Sequence, residues 1–200
     1  MVTVICSPHQ SYSKKRERNG ADAKFVPKSA NITVRARPGR SSQGLLNLGG
    51  TVFCCALGRG GISSRKREGD GATPLAAMRA MWGYYRPGRG SLPATRLALR
   101  PIHAGLGWCD APGDRNYNRP VRLPYPASCE TMRRGDPLYD LLVVLDWNMR
   151  PAVRGRGSAI FLHLARPGYL PTEGCIAVSR RTMTRLLPVL GRGGVVRVSR

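Results

Sequence analysis

The sequence predicts a mainly β fold with one short helix near its C-terminus, and three observations carry this. Five short runs rich in β-branched or aromatic residues are each bounded by Gly, Pro, Asn or Ser. Gly (24) and Pro (16) are abundant, which suits many turns and long surface loops. Only one segment combines helical apolar spacing with a start signal and a stop signal.

The first strand is expected over residues 32–36, Ile-Thr-Val-Arg-Ala. The second spans 50–56, where Cys54 and Cys55 must point to opposite faces, so at most one lies in the core and the other is available for pairing. The third covers 139–145, Tyr-Asp-Leu-Leu-Val-Val-Leu, and the fourth 159–163, Ala-Ile-Phe-Leu-His. The fifth covers 195–198, Val-Val-Arg-Val. The helix starts after Ser179, an N-cap residue, and runs through Met183, Leu186, Leu187 and Leu190 to Gly191. The span 85–135 reads as the loop-rich part. Residues 58–61, Gly-Arg-Gly-Gly, read as a tight turn, because a phosphate loop needs a Lys-Ser/Thr ending and a strand-to-helix context.

At 200 residues the chain is long enough for one well-cored domain, expected over residues 31–200 and as a monomer. Residues 1–30 are charged and poor in apolar groups, which predicts a disordered basic arm, with a mature molecule that begins after it as the alternative. No secretory signal is visible there, because the short apolar start is followed rather than preceded by the basic run 14–18. No segment reaches the eighteen or so apolar residues of a membrane helix. Thirty-three Lys and Arg against 11 acids give a formal charge of +22, a field that attracts any polyanion. The basic residues are dispersed and no nucleic-acid-binding motif accompanies them, so a solvated basic surface is the preferred reading over nucleic-acid binding. Six cysteines without paired spacing argue against a metal site, and no cofactor is expected. Cys109 and Cys129 form a possible disulfide in an oxidising compartment.

The chemistry concentrates in His163 and Cys175, twelve positions apart. His163 ends a strand-forming run that fixes its ring by packing, and Thr172-Glu173-Gly174 delivers Cys175 from a loop. Gly174 permits a tight turn that brings backbone N–H groups towards whatever Cys175 attacks. A fixed imidazole beside a thiol is the minimum for cysteine acyl transfer. On residue types alone, a buried structural cysteine and a packed histidine are the commoner outcome.

Resemblance changes that weighting. Five blocks of sequence, residues 44–53, 56–61, 66–74, 138–146 and 163–175, resemble in order the L,D-transpeptidase catalytic domain, also called the YkuD-type domain, in a short single-domain version. The resemblance implies a YkuD-type β-sandwich with a short helix after the nucleophile strand. It also implies that residues 74–82, helical by propensity, form a strand. By the same resemblance His163 is the base, Cys175 the nucleophile, and the N–H groups of Gly174 and Cys175 the oxyanion donors. Arg166, Thr172, Glu173, Lys66 and Asp70 are the substrate-binding candidates. The loop 108–119 is expected to wall the cleft.

The implied reaction transfers an acyl group from a peptidoglycan stem peptide through a thioester on Cys175, in the periplasm or cell envelope. If water accepts the acyl group, the same site is an L,D-carboxypeptidase or amide hydrolase. A non-catalytic wall- or nucleic-acid-binding protein is the reading from other classes. The chain departs from the family pattern at Glu173, where a second His is usual, and at Ala76 and Ala177. Glu173 is expected to turn from the sulfur towards Arg166 or Arg156 as an ion pair.

Overall fold

A computed structural model describes the backbone of Val4–Ile5 and residues 31–200. The rest of the expected basic arm lies outside the described residues. In chain order the strands are β1 Val4–Ile5, β2 Ile32–Arg37, β3 Arg40–Leu48, β4 Thr51–Ala56, β5 Ile62–Ser63, β6 Thr73–Pro74, β7 Ala77–Tyr85 and β8 Leu99–Pro101. They continue with β9 Leu106–Cys109, β10 Arg119–Arg122, β11 Cys129–Thr131, β12 Leu141–Leu145, β13 Phe161–Leu164, β14 Ile176–Val178 and β15 Val195–Ser199. Helix α1, Arg180–Leu190, lies between β14 and β15.

The main sheet runs β4-β14-β13-β12-β7-β15-β2-β3, and β3 pairs back onto β4. The path therefore folds over on itself and encloses apolar side chains, in keeping with the mainly β expectation. Val4 and Ile5 add to it, pairing in parallel with Val52 and Phe53.

Strand β12 shows why this sequence makes this sheet. All five of its residues are buried. Leu141, Val143 and Leu145 enter one core, Leu142 and Val144 the other. An uninterrupted Leu-Leu-Val-Val-Leu run is what a strand covered on both faces requires. The first core takes Leu162 and Leu164 of β13, Ile176 and Val178 of β14, and Met183, Leu186, Leu187 and Leu190 of α1. Each fully buried Leu or Val contributes about 1.5–3 kcal/mol relative to an exposed one.

The second core lies on the opposite face of β12 and β13, beneath the small sheet β10-β9-β11. It holds Trp108, Tyr139, Phe161 and Cys175.

Helix α1 has the predicted cap: Ser179 Oγ accepts from the Thr182 N–H at 3.1 Å, and Gly191 N–H donates back to Leu187 O. Residues 77–85 form β7, the strand expected from resemblance rather than the helix expected from propensity, because the segment lies between β12 and β15 in the sheet. The span 85–135 is mostly loop, as expected, and within it lies the three-stranded sheet β10-β9-β11, whose strands of three or four residues include Gly, Pro and Arg and give no run to read. Strand β3 was also not anticipated, since its first half is polar; β2 on one side and β4 on the other hold it. Cys55 packs in the first core while Cys54 is disulfide-bonded, which matches the expectation that one is core and the other available for pairing.

Candidate active site

Strands β13 and β14 run parallel, with Leu162 opposite Ile176 and His163 opposite Ala177. Because side chains alternate between faces, His163 projects on the side of Phe161, away from the core that takes Leu162 and Leu164. Cys175 immediately precedes β14 and packs in the same second core as Phe161. The imidazole and the thiol thus share one face of adjacent strands. Two residues of rise and one inter-strand spacing put their Cα atoms about 8 Å apart.

Each side chain has its own local partners. Cys175 Sγ accepts from the Phe161 N–H at 3.3 Å and donates to Ala159 O at 3.1 Å. His163 Nδ1 lies 2.9 Å from Leu164 O. A carbonyl only accepts, so Nδ1 carries the proton and Nε2 keeps its lone pair. Burial lowers the His163 pKa to about 4, partly opposed by the Leu164 carbonyl. Burial likewise raises the Cys175 pKa to about 12, with the Glu130 charge adding to it and the Phe161 N–H, Lys66 and Arg134 opposing it. The resting pair is therefore a neutral thiol and a neutral imidazole.

The approach to Cys175 is a short, conformationally restricted loop. Gly174 has φ +127°, and a Cβ there would lie 2.8 Å from Ala72 O, so no other residue fits without displacement. Thr172 Oγ1 donates to Cys175 O at 2.6 Å and accepts from the Gly174 N–H at 3.2 Å. The Gly174 N–H expected for an oxyanion is thus held by Thr172, and Thr172 serves the loop itself. The loop is tied to residues 57–59 by Thr172 N–H to Leu57 O (2.9 Å) and Arg59 N–H to Thr172 O (2.8 Å).

The charged candidates take up specific places. Glu173 pairs with Arg59 at 2.7 Å, not with Arg166 or Arg156, because the backbone ladder between 57–59 and 172 brings the Arg59 side chain alongside. Lys66 and Asp70 pair with each other at 2.5 Å, and Asp70 also accepts from the Arg67 and Ala72 N–H groups at 2.7 and 2.9 Å. Burial would raise the Asp70 pKa, but these hydrogen bonds outweigh it and lower it. Both groups are satisfied within the loop, and Lys66 is buried with its ammonium close enough to favour a Cys175 thiolate. Arg166 is exposed and lines, with His163 and Thr172, a cleft of only about 20 Å³.

Sequence reasoning missed the groups that pack around His163. The Tyr139 ring meets the His163 ring edge-on at 5.4 Å, and its hydroxyl donates to Glu130 Oε1 at 2.6 Å. Arg134 lies over the Tyr139 ring at 5.2 Å and pairs with Glu130 (3.5 Å) and Asp136 (2.9 Å). Burial raises the Glu130 pKa despite the Tyr139 hydrogen bond and the Arg134 charge. Tyr139 falls in a block that resembles the family; Glu130 and Arg134 reach the site only through strand β11 and the turn after it, which left no readable signal.

Residues 37–198 match the L,D-transpeptidase catalytic domain family. The chain belongs to that family. Among solved structures, it is similar to L,D-transpeptidase 1 of Mycobacterium tuberculosis at 14% identity and a TM-score of 0.36, over 84% of this chain and 62% of the other. It thus spans less than two thirds of that protein. No curated protein matches the chain. Among the described residues no helix is long and apolar enough to cross a membrane, and no group of three or more His, Cys, Asp or Glu is placed to hold a metal.

Proposed function

We propose that this L,D-transpeptidase-family domain performs cysteine-dependent acyl transfer on peptidoglycan stem peptides at the cell envelope. The observation that carries the reading is the shared face of β13 and β14: a buried imidazole with its Nε2 lone pair free, and a nucleophile delivered by a glycine turn that a side chain would not fit. In the first half-reaction Sγ gives its proton to Nε2 in place of Ala159 O and attacks a peptide carbonyl. The oxyanion then collapses, the C–N bond breaks, and the imidazolium protonates the departing amine of a D-amino acid. In the second, His163 takes a proton from an acceptor amine that attacks the thioester, and the sulfur leaves and is reprotonated. The Cys175 N–H is the backbone donor for the oxyanion, joined by the Gly174 N–H once it parts from Thr172. With water as acceptor, the same steps hydrolyse the peptide. Arg166, exposed and without a side-chain hydrogen bond or ion pair among the described residues, lines the His163 cleft and suits a substrate carboxylate.

Intact-mass analysis after incubation with a tetrapeptide stem and with a carbapenem tests this. An adduct that maps to Cys175 and disappears in Cys175→Ala is expected; an unmodified Cys175 would overturn the proposal in favour of a non-catalytic binding role.

A further inference from the structure

A large concavity of the domain lies apart from the cysteine and the histidine. It is a basin of about 890 Å³, walled by two loops and lined by Arg115, Arg119, Arg150 and Arg154 over a floor that includes Trp82 and Met149. Arg119, Arg150 and Arg154 have no ion pair or side-chain hydrogen bond among the described residues. The one acid in the lining, Asp114, is already engaged, accepting from the Asn116 N–H at 2.7 Å and from the Tyr125 hydroxyl at 2.8 Å. Arg100 adds a further cation at 5.3 Å from the Trp82 ring centre, and the Trp82 indole N–H is buried without an acceptor. Guanidinium groups crowded without counterions repel one another, and an anion of more than one charge relieves that repulsion.

The basin is built into the site. Asn118, in the first wall, accepts from the Ala159 N–H at 3.0 Å, and Ala159 O is the acceptor for the Cys175 thiol. The same Asn118 side chain donates to Trp147 O (3.0 Å) and Asn148 O (2.8 Å), which begin the second wall. Asn148 in turn closes that loop by donating to Val153 O and Gly157 O, both at 2.9 Å. One buried asparagine thus fixes both arginine-bearing walls and the nucleophile's partner.

Resting on the acyl-transfer reading, we propose that this basin holds the carboxylates of an acidic peptide substrate, so that the enzyme selects stems whose side carboxyls are free over stems whose carboxyls are amidated. The combination of a guanidinium rim with an apolar floor decides the class. An amino-acid residue offers a carboxylate on an aliphatic stem and uses both, whereas a phosphate uses the rim alone and leaves Trp82 and Met149 uncovered.

Titration calorimetry with the full-length Cys175→Ala protein tests this without dependence on chemistry. The probes are a tetrapeptide stem with free side carboxyls, its carboxamide analogue, and inorganic pyrophosphate. Amidation should weaken binding about tenfold or more, and the Arg119→Gln/Arg150→Gln variant should lose a similar factor for the free acid while binding the amide unchanged. These arginines are exposed and unpartnered, so the variant should keep its thermal midpoint. Equal binding of acid and amide, tighter binding of pyrophosphate than of peptide, or an unaffected arginine variant would each overturn the proposal. If the peptide binds with this arginine dependence but Cys175 forms no adduct in the wild type, the basin stands and the acyl-transfer reading falls.

Discussion

Glu173 Oε2 accepts from Arg59 Nε at 2.7 Å, which turns the carboxylate next to the nucleophile outward instead of towards the sulfur. Both side chains are more than half exposed, at 78% and 56%, so the pair contributes less than about 1 kcal/mol to stability. Its field at Cys175 is screened for the same reason. Glu173→Gln should therefore leave the pH profile of Cys175 alkylation within about half a unit of wild type. Iodoacetamide rates from pH 6 to 10 check this, and a tenfold acceleration near neutrality would show that the carboxylate faces the sulfur.

Burial of neutral His163 makes stability depend on pH. Its folded pKa, about 4, lies below the ordinary 6.5, so the unfolded chain binds the proton more readily. Stability from this group is intact above pH 6.5 and falls as pH drops towards 4, by about 3 kcal/mol in all. Urea midpoints between pH 8 and 4 should decline in wild type and decline less in His163→Gln. Equal slopes would show that the imidazole is not the group responsible. The same variant should lose roughly 10²–10⁴-fold in turnover as the general base is removed.

The backbone at Gly174 supports a stronger claim than the side chains around it. Gly174→Ala must accommodate φ +127° together with a Cβ 2.8 Å from Ala72 O. We expect a loss of about 2–3 kcal/mol and a larger fall in Cys175 reactivity than the stability loss explains, because an alanine would be strained at this φ and the turn aims the sulfur. Chemical denaturation and alkylation of the same sample separate the two effects.

Much of this was legible in the chain. The Leu-Leu-Val-Val-Leu run of β12 and the Ser179-to-Gly191 helix are local patterns, and both formed where local physics put them. The shared face of His163 and Cys175 was readable because each sits at the end of a strand signal that fixes which face it takes. The partners were not. Arg59 meets Glu173 across 114 residues, and Glu130 reaches Tyr139 from a strand of only three residues, so both contacts depend on loop closure that no periodicity encodes. Strand β3 hid because its neighbours on both sides, not its own residues, decide its conformation.

Cys109 and Cys129 face each other across β9 and β11 as free thiols. The hydrogen bonds Asp110 N–H to Ser128 O and Met132 N–H to Leu106 O fall on alternate positions, which makes Cys109 and Cys129 a non-hydrogen-bonded pair, the kind with the closer side chains. Oxidation by glutathione disulfide should link these two, and peptide mapping should find Cys109–Cys129 before any bridge to buried Cys55. A mixed disulfide stable at Cys129 alone would show that the two sulfurs cannot meet.

Asn118 accepts from the Trp108 indole at 3.1 Å as well as from the Ala159 N–H, and is only 2% exposed. Removing its side chain strands an indole N–H, a backbone N–H and two carbonyls in the interior, each about 1–3 kcal/mol when buried without a partner. Asn118→Ala should therefore destabilise the domain by about 3 kcal/mol or more. Asn118→Asp separates its two functions: the carboxylate still accepts from Trp108 and Ala159 but cannot donate to Trp147 O and Asn148 O. If Ala159 is what holds the Cys175 thiol in place, Asn118→Asp should alkylate at Cys175 at a near wild-type rate while its arginine-bearing 147–157 loop is cut by protease faster. Loss of both together would instead place the sulfur's support in that loop.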